Sequence, residues 1–208
     1  DFVPSRGLGD VYKRQAWKLR LRDGKVLFAK SGGASALPLF EVEAEALEAL
    51  HAQADASFLV VPQPIALAAL PHGAVLLLPW LDCGGNDQTA LGRGLALLHQ
   101  SSMASSPARF GWHRDGFIGA GPQLGGWRDD WGSAFVELRL RPQLEALDGL
   151  QQDSTELNPL LLRLAEHLNE HQPHPALVHG DLWGGNAASL SDGRGSIFDP
   201  ASWWADRE

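Results

Sequence analysis

Residues 179–186, HGDLWGGN, set Asp181 five positions before Asn186, and Asp199 follows in the apolar context IFDP. Two carboxylates and an amide in this order suit phosphoryl transfer. That reaction needs positioning and charge neutralisation: one carboxylate takes the attacking hydroxyl's proton, while an Asn oxygen and a second carboxylate hold the magnesium that bridges the phosphates. Asp181 fits the base, and Asn186 and Asp199 fit the metal ligands. Taken singly, each is more often a turn or helix cap. Here the D-x4-N spacing, the preceding His-Gly and the downstream IFDP agree with one another.

The elements around these residues follow from the local pattern. Ala176, Leu177 and Val178 read as a short buried strand, and Gly184-Gly185 forces a loop at its exit. Residues 187–190 and 196–198 read as two strands joined by the turn SDGRG, which returns Asp199 beside the loop.

Earlier in the chain, Trp17, Leu19 and Leu21 alternate with Lys18, Arg20 and Arg22, Asp23-Gly24 makes a hairpin turn, and residues 25–30 return. Lys30 ends the face that carries Val26 and Phe28. A helix follows over residues 40–51. On its wheel Glu41, Glu45 and Glu48 lie away from Phe40, Leu47 and Leu50, whereas Glu43 falls inside the apolar stripe. A buried carboxylate wants a cation, and Lys30 is the last lysine in the sequence. A Lys30–Glu43 ion pair satisfies both, and such a pair orients nucleotide phosphates in protein kinases.

Residues 58–61 and 74–78 read as further strands, and Pro79-Trp80-Leu81 reads either as an ordinary strand end or as a connection between lobes that would offer backbone groups to an adenine edge. Gly84-Gly85-Asn86-Asp87 breaks the chain before a helix over residues 88–99. Residues 101–126, rich in Ser, Gly and Pro, read as a long loop. Trp127, Trp131, Phe135 and Leu138 follow helical spacing, with Pro142 bending or ending that helix, and Leu157 to Leu168 mark another helix. Residues 1–15 carry Gly7 and Gly9 but put Tyr12 where a third loop glycine would stand.

Seventeen basic against 25 acidic residues, a net charge of −8, argue against nucleic acid as a partner. The single cysteine, Cys83, excludes an internal disulfide and fits a reducing, cytoplasmic setting. No run is long and apolar enough to suggest a signal peptide or a membrane span.

The segments AWKLRLRDGKVLFAK, LPLFEVEAEALEAL, PQLGGWRDDWGSAF, LVHGDLWGGN and IFDPASWWADRE together resemble the fructosamine kinase (ketosamine 3-kinase) family from residue 16 to residue 208. The resemblance implies an α+β, protein-kinase-like fold of two lobes, a nucleotide-binding N-lobe over residues 1–81 and a C-lobe with the catalytic and metal-binding loops over residues 82–208. It also implies ATP and Mg2+ as cosubstrates, and transfer of phosphate to a sugar hydroxyl of a glycated small molecule or a glycated protein lysine. Lys30 and Glu43 would carry over as the nucleotide-orienting pair, Asp181 as the base, and Asn186 and Asp199 as magnesium ligands. Alternatives are an aminoglycoside or choline kinase of the same fold, or a catalytically inactive nucleotide-binding module. The helices that the family carries after DRE do not follow Glu208 in this sequence. A fragment is therefore expected, with at least one of Trp203 and Trp204 showing an exposed face within a large apolar patch.

Overall fold

The computed structural model describes residues 15–119, 121–147 and 154–208; the expectation on Gly7, Gly9 and Tyr12 lies outside them. Strands β1 (Gln15–Arg20) and β2 (Val26–Gly32) precede helix α1 (Leu37–Gln53). Strands β3 (Leu59–Val60), β4 (Ala66–Leu70) and β5 (Gly73–Pro79) lead to α2 (Thr89–Ala104). Four short strands come next: β6 (Phe110–Trp112), β7 (Gly116–Ile118), β8 (Gly121–Gln123) and β9 (Gly126–Arg128). They are followed by α3 (Trp131–Phe135), a π-helical turn (Val136–Leu140), α4 (Arg141–Glu145) and α5 (Ser154–Glu170). The last strands are β10 (Ala176–Val178), β11 (Ala187–Ser189), β12 (Gly195–Ile197) and β13 (Trp203–Ala205). Two compact units result, Asp1–Leu97 with Asp181–Ala201, and Leu98–Gly180 with Ser202–Glu208. Among the described residues no helix is long and apolar enough to cross a membrane.

The first unit is built on an antiparallel sheet of order β1-β2-β5-β4. Its first hairpin turns at Gly24, whose φ of 86° is open to glycine at no steric cost. Pairing Lys30 with Leu76 and Phe28 with Leu78 puts the lysine and the phenylalanine on one face of β2. Helix α1 buries Phe40, Leu47 and Leu50 completely. Glu43 lies among them at 5% exposure, while Glu41 and Glu48 face solvent, as the helical wheel requires. Strand β4 was not foreseen: its sequence ALAAL alternates nothing, and only pairing with β5 identifies it. A second sheet joins the hairpin β11–β12 to β3, which runs parallel to β12. Gly195 N donates to Phe58 O (2.8 Å) and Ser196 Oγ to Val60 O (2.7 Å), so the hairpin is tied to the chain that follows α1.

The second unit departs from several expectations. Residues 101–126 are not a loop: α2 runs on to Ala104, and β6 and β9 enter a sheet of order β10-β13-β6-β9 while β7 and β8 pair as a hairpin. Three-residue strands rich in Gly carry too little periodicity to be told from loop. Trp127 belongs to β9, opposite Gly111, and the helix starts at Trp131, where the Asp130 carboxylate accepts from Ser133 N (2.8 Å) as an N-cap. Pro142 neither ends nor breaks the helical path. It occupies the first turn of α4, where a missing N–H costs nothing, directly after the widened π turn.

At the end of the sequence the expected exposed face is found at Trp204 and not at Trp203. Strand β13 lies inside the sheet, Trp203 is 6% exposed, and Trp204 is half-buried. Trp203 stacks at 5.5 Å on Trp131, which meets Phe110 at 5.7 Å, and the Arg139 guanidinium covers the Trp203 ring at 3.8 Å. The Trp131 ring and the Arg139 guanidinium thus cover an indole that local sequence left bare, and a packed tryptophan of this kind buries about 150–250 Å². Burial also lowers the Arg139 pKa to about 10.

Candidate active site

All the polar residues picked out by spacing fall in the first unit and form one bonded series. Lys30 Nζ lies 2.6 Å from Glu43 Oε1 and 2.8 Å from Asp199 Oδ1. Asn186 Nδ2 donates to Asp199 O (3.4 Å), to Asp181 O (2.9 Å) and to Asp181 Oδ2 (3.2 Å). The series therefore runs Glu43, Lys30, Asp199, Asn186, Asp181. Exposure rises over its first three members, with side-chain values of 7% for Glu43, 17% for Lys30 and 48% for Asp199, and Asn186 is buried again. The ion pair is anchored in the core and its far carboxylate reaches solvent.

Local backbone geometry explains how the loop holds this shape. Asn186 N closes a turn onto Trp183 O (2.9 Å), and Phe198 N donates to Asn186 O (3.0 Å), which fastens the loop to the residue before Asp199. A Cβ at Gly185 would meet the Trp183 ring, so a side chain there would have to push the exposed indole aside. Asp199 takes a φ of 60°, a left-handed conformation that Asp tolerates better than most side chains.

The series opens on a cavity of about 500 Å³, and Lys30, Asn186 and Asp199 all line it. Its apolar walls include Phe28, Leu78 and Phe198, and Pro79, Trp80 and Leu81 border it on the side of the chain leaving β5. Concave, largely apolar spaces with a few convergent polar groups are where small ligands bind. The wall residues Phe28, Leu78 and Phe198 escaped sequence reasoning, because strand registers place them together. Lys18, across from Phe28 in β1, stacks its ammonium 4.1 Å over the exposed Trp80 ring. Trp183, the most solvent-exposed tryptophan of the site loop at 64%, was also passed over in favour of its polar neighbours.

The donor set can be tested against a magnesium ion. Asn186 is 6% exposed and commits Nδ2 inward, which leaves Oδ1 as an acceptor, and Asp199 keeps its second carboxylate oxygen beyond the Lys30 contact. Among the described residues no three His, Cys, Asp or Glu side chains group as a metal site. One amide oxygen and one carboxylate leave most of the shell to water and phosphate, which is how magnesium is ordinarily held. The residues fit that ion, and they would suit a cation that demands many protein ligands poorly.

The fructosamine kinase family model matches residues 8–208. The chain belongs to the fructosamine kinase family. Relatives within it include a "Probable ketoamine kinase" of Synechocystis sp., 38% identical over 184 residues, covering 87% of this chain and 60% of the relative. A chloroplastic protein-ribulosamine 3-kinase of Oryza sativa subsp. indica is 33% identical over 213 residues, covering 99% of this chain and 60% of that protein. The chain thus spans about 60% of the length of these curated relatives. Among solved structures, a "putative fructosamine-3-kinase" of Thermobifida fusca matches with a TM-score of 0.73 and 27% identity, covering 99% of this chain and 70% of that one. Spectinomycin phosphotransferase APH(9)-Ia, solved with ADP and spectinomycin, shares the fold at a TM-score of 0.51 and 15% identity. The fold is the α+β, protein-kinase-like one expected for the family.

Proposed function

We propose that this chain serves an ATP- and magnesium-dependent kinase reaction on a sugar hydroxyl of ketosamines, the fructosamine or ribulosamine adducts of amines and protein lysines, in a deglycation role. The observation that carries this reading is the bonded series from Glu43 to Asp181 at one cavity wall. A bound magnesium would supply neutralisation of phosphate charge. Asn186 Oδ1 and the Asp199 carboxylate would hold it. Lys30, fixed by Glu43, presents its ammonium to the phosphates, and the Pro79-Trp80-Leu81 backbone faces the adenine edge. Asp181 accepts the proton of the sugar hydroxyl, and Asn186 orients its carboxylate through the Nδ2 to Oδ2 bond of 3.2 Å. On this reading residues 1–81 supply the nucleotide-binding lobe and residues 82–208 the catalytic and metal-binding loops.

ATP consumption measured with fructosyl-lysine and ribulosyl-lysine, against choline and an aminoglycoside panel, tests the proposal. Turnover confined to the two ketosamines is expected. Turnover with choline or an aminoglycoside alone would assign a related small-molecule kinase, and nucleotide binding without any turnover would assign an inactive binding module.

A further inference from the structure

The segment over residues 82–87 begins at the cavity wall, and its stretch 84–87 reads in sequence only as a break. In the structure it is fastened along the end of the β11–β12 hairpin. Ser191 N donates to Asp82 O (2.9 Å), Gly85 N to Ser189 O (3.0 Å) and Ser189 Oγ to Asp87 O (2.6 Å). The approach is backbone against backbone: a Cβ at Gly85 would run into the Leu190 carbonyl, and one at Gly84 into the Ser191 hydroxyl. Only glycine permits so close a contact. Directly upstream of this fastening lie Trp80 and Leu81, which border the cavity on one side. The hairpin itself starts directly after Asn186 and ends just before Asp199, which border the cavity on the other.

We propose that Gly85 is a positioning residue, which locks the wall facing the nucleobase to the hairpin carrying the metal-facing side chains. Resting on the nucleotide-binding reading above, this assigns to the contact the task of fixing the span between two subsites of one ligand. Two contacts on a single ligand reinforce each other only while the distance between them is held to that ligand's length. A Cβ at position 85 pushes the wall and the hairpin apart. Neither loses a side chain that touches the nucleotide, but one nucleotide can no longer satisfy both.

Calorimetry on the full chain with MgATP, and separately with adenosine, reads this directly. Gly85→Ala is expected to lose about tenfold in MgATP affinity, while adenosine, which engages the base wall alone, changes by less than about twofold. Ser189→Ala deletes only the bond to Asp87 O and should lose about threefold for MgATP in the same pattern. It carries the test if Gly85→Ala does not fold. Gly92→Ala, where an added Cβ meets nothing within 4 Å, is the control and should leave both ligands unaffected. Equal losses for MgATP and adenosine, or no loss for either, overturn the positioning role. Absence of MgATP binding by the unsubstituted chain would overturn the nucleotide reading itself, a result separable from the first.

Discussion

Glu43→Ala removes the buried end of an ion pair whose other end is shared. Lys30 Nζ sits 2.6 Å from Glu43 and 2.8 Å from Asp199, with side-chain exposures of 7% for Glu43, 17% for Lys30 and 48% for Asp199. Removing one partner of a fully buried pair costs roughly 3–5 kcal/mol, because the remaining charge is left uncompensated out of water. Here Lys30 retains Asp199 and some solvent, so about 2 kcal/mol is the expected loss. The double variant Lys30→Met/Glu43→Ala leaves no charge buried, and the half-exposed Asp199 is solvated at little cost. Its stability should return to within about 1 kcal/mol of the original; since Lys30→Met alone strands the Glu43 carboxylate and should also lose about 2 kcal/mol, the coupling between the two positions is about 3 kcal/mol. Urea unfolding of the four proteins of the cycle measures this. A loss under about 0.5 kcal/mol for Glu43→Ala, or a double variant as unstable as the sum of the single ones, would refute the argument that charge pairing keeps Glu43 in the core.

Other consequences are open to single measurements. Asp181→Asn should lower single-turnover phosphoryl transfer by about 10²- to 10⁴-fold, with MgATP affinity within about twofold, because the proton it accepts belongs to the sugar; near-full activity would remove it as the base. Asp199→Ala should abolish the magnesium dependence of nucleotide binding in calorimetry, since Glu43 is committed to Lys30 and Asp181 to the acceptor's proton, leaving Asp199 as the carboxylate for the ion. In the second unit burial pushes the Asp130 carboxyl up, but the Ser133 amide, Asn169 and the Ser133 hydroxyl outweigh it and hold the carboxyl below the usual carboxylate range. A depressed folded-state pKa gives stability that is complete above about pH 4 and lost as pH falls through the folded value. Asp130→Asn should therefore flatten the acid limb of the melting temperature, and an unchanged acid limb would show that the cap contributes no linkage.

The candidate site was legible because its signals are local or helical. HGDLWGGN and IFDP each lie within a dozen residues, and the inward placement of Glu43 follows from one helical wheel, so the pairing with Lys30 could be stated before any coordinates. What stayed hidden depends on partners far along the chain. ALAAL becomes β4 only beside β5, and the three-residue strands β6 to β9 become a sheet only with β10 and β13. Trp203 illustrates the same limit, since a residue five positions from the last one is covered by Trp131 and Arg139. Gly85 was read as punctuation for the same reason: its constraint is the Leu190 carbonyl, more than a hundred residues later.

Cys83 is the only cysteine in the sequence, it is exposed, and it borders the cavity. Partial burial and then the neighbouring Asp82 carboxylate push its thiol up, so the thiolate is scarce at neutral pH and modification quickens as the pH rises. The molecule therefore carries one built-in chemical handle at the rim of its binding space. A maleimide fluorophore would attach at a single known position without any substitution, and its emission would report filling of the cavity in real time. The rate of attachment, compared with and without nucleotide, would serve as an occupancy meter that requires no acceptor substrate and no turnover.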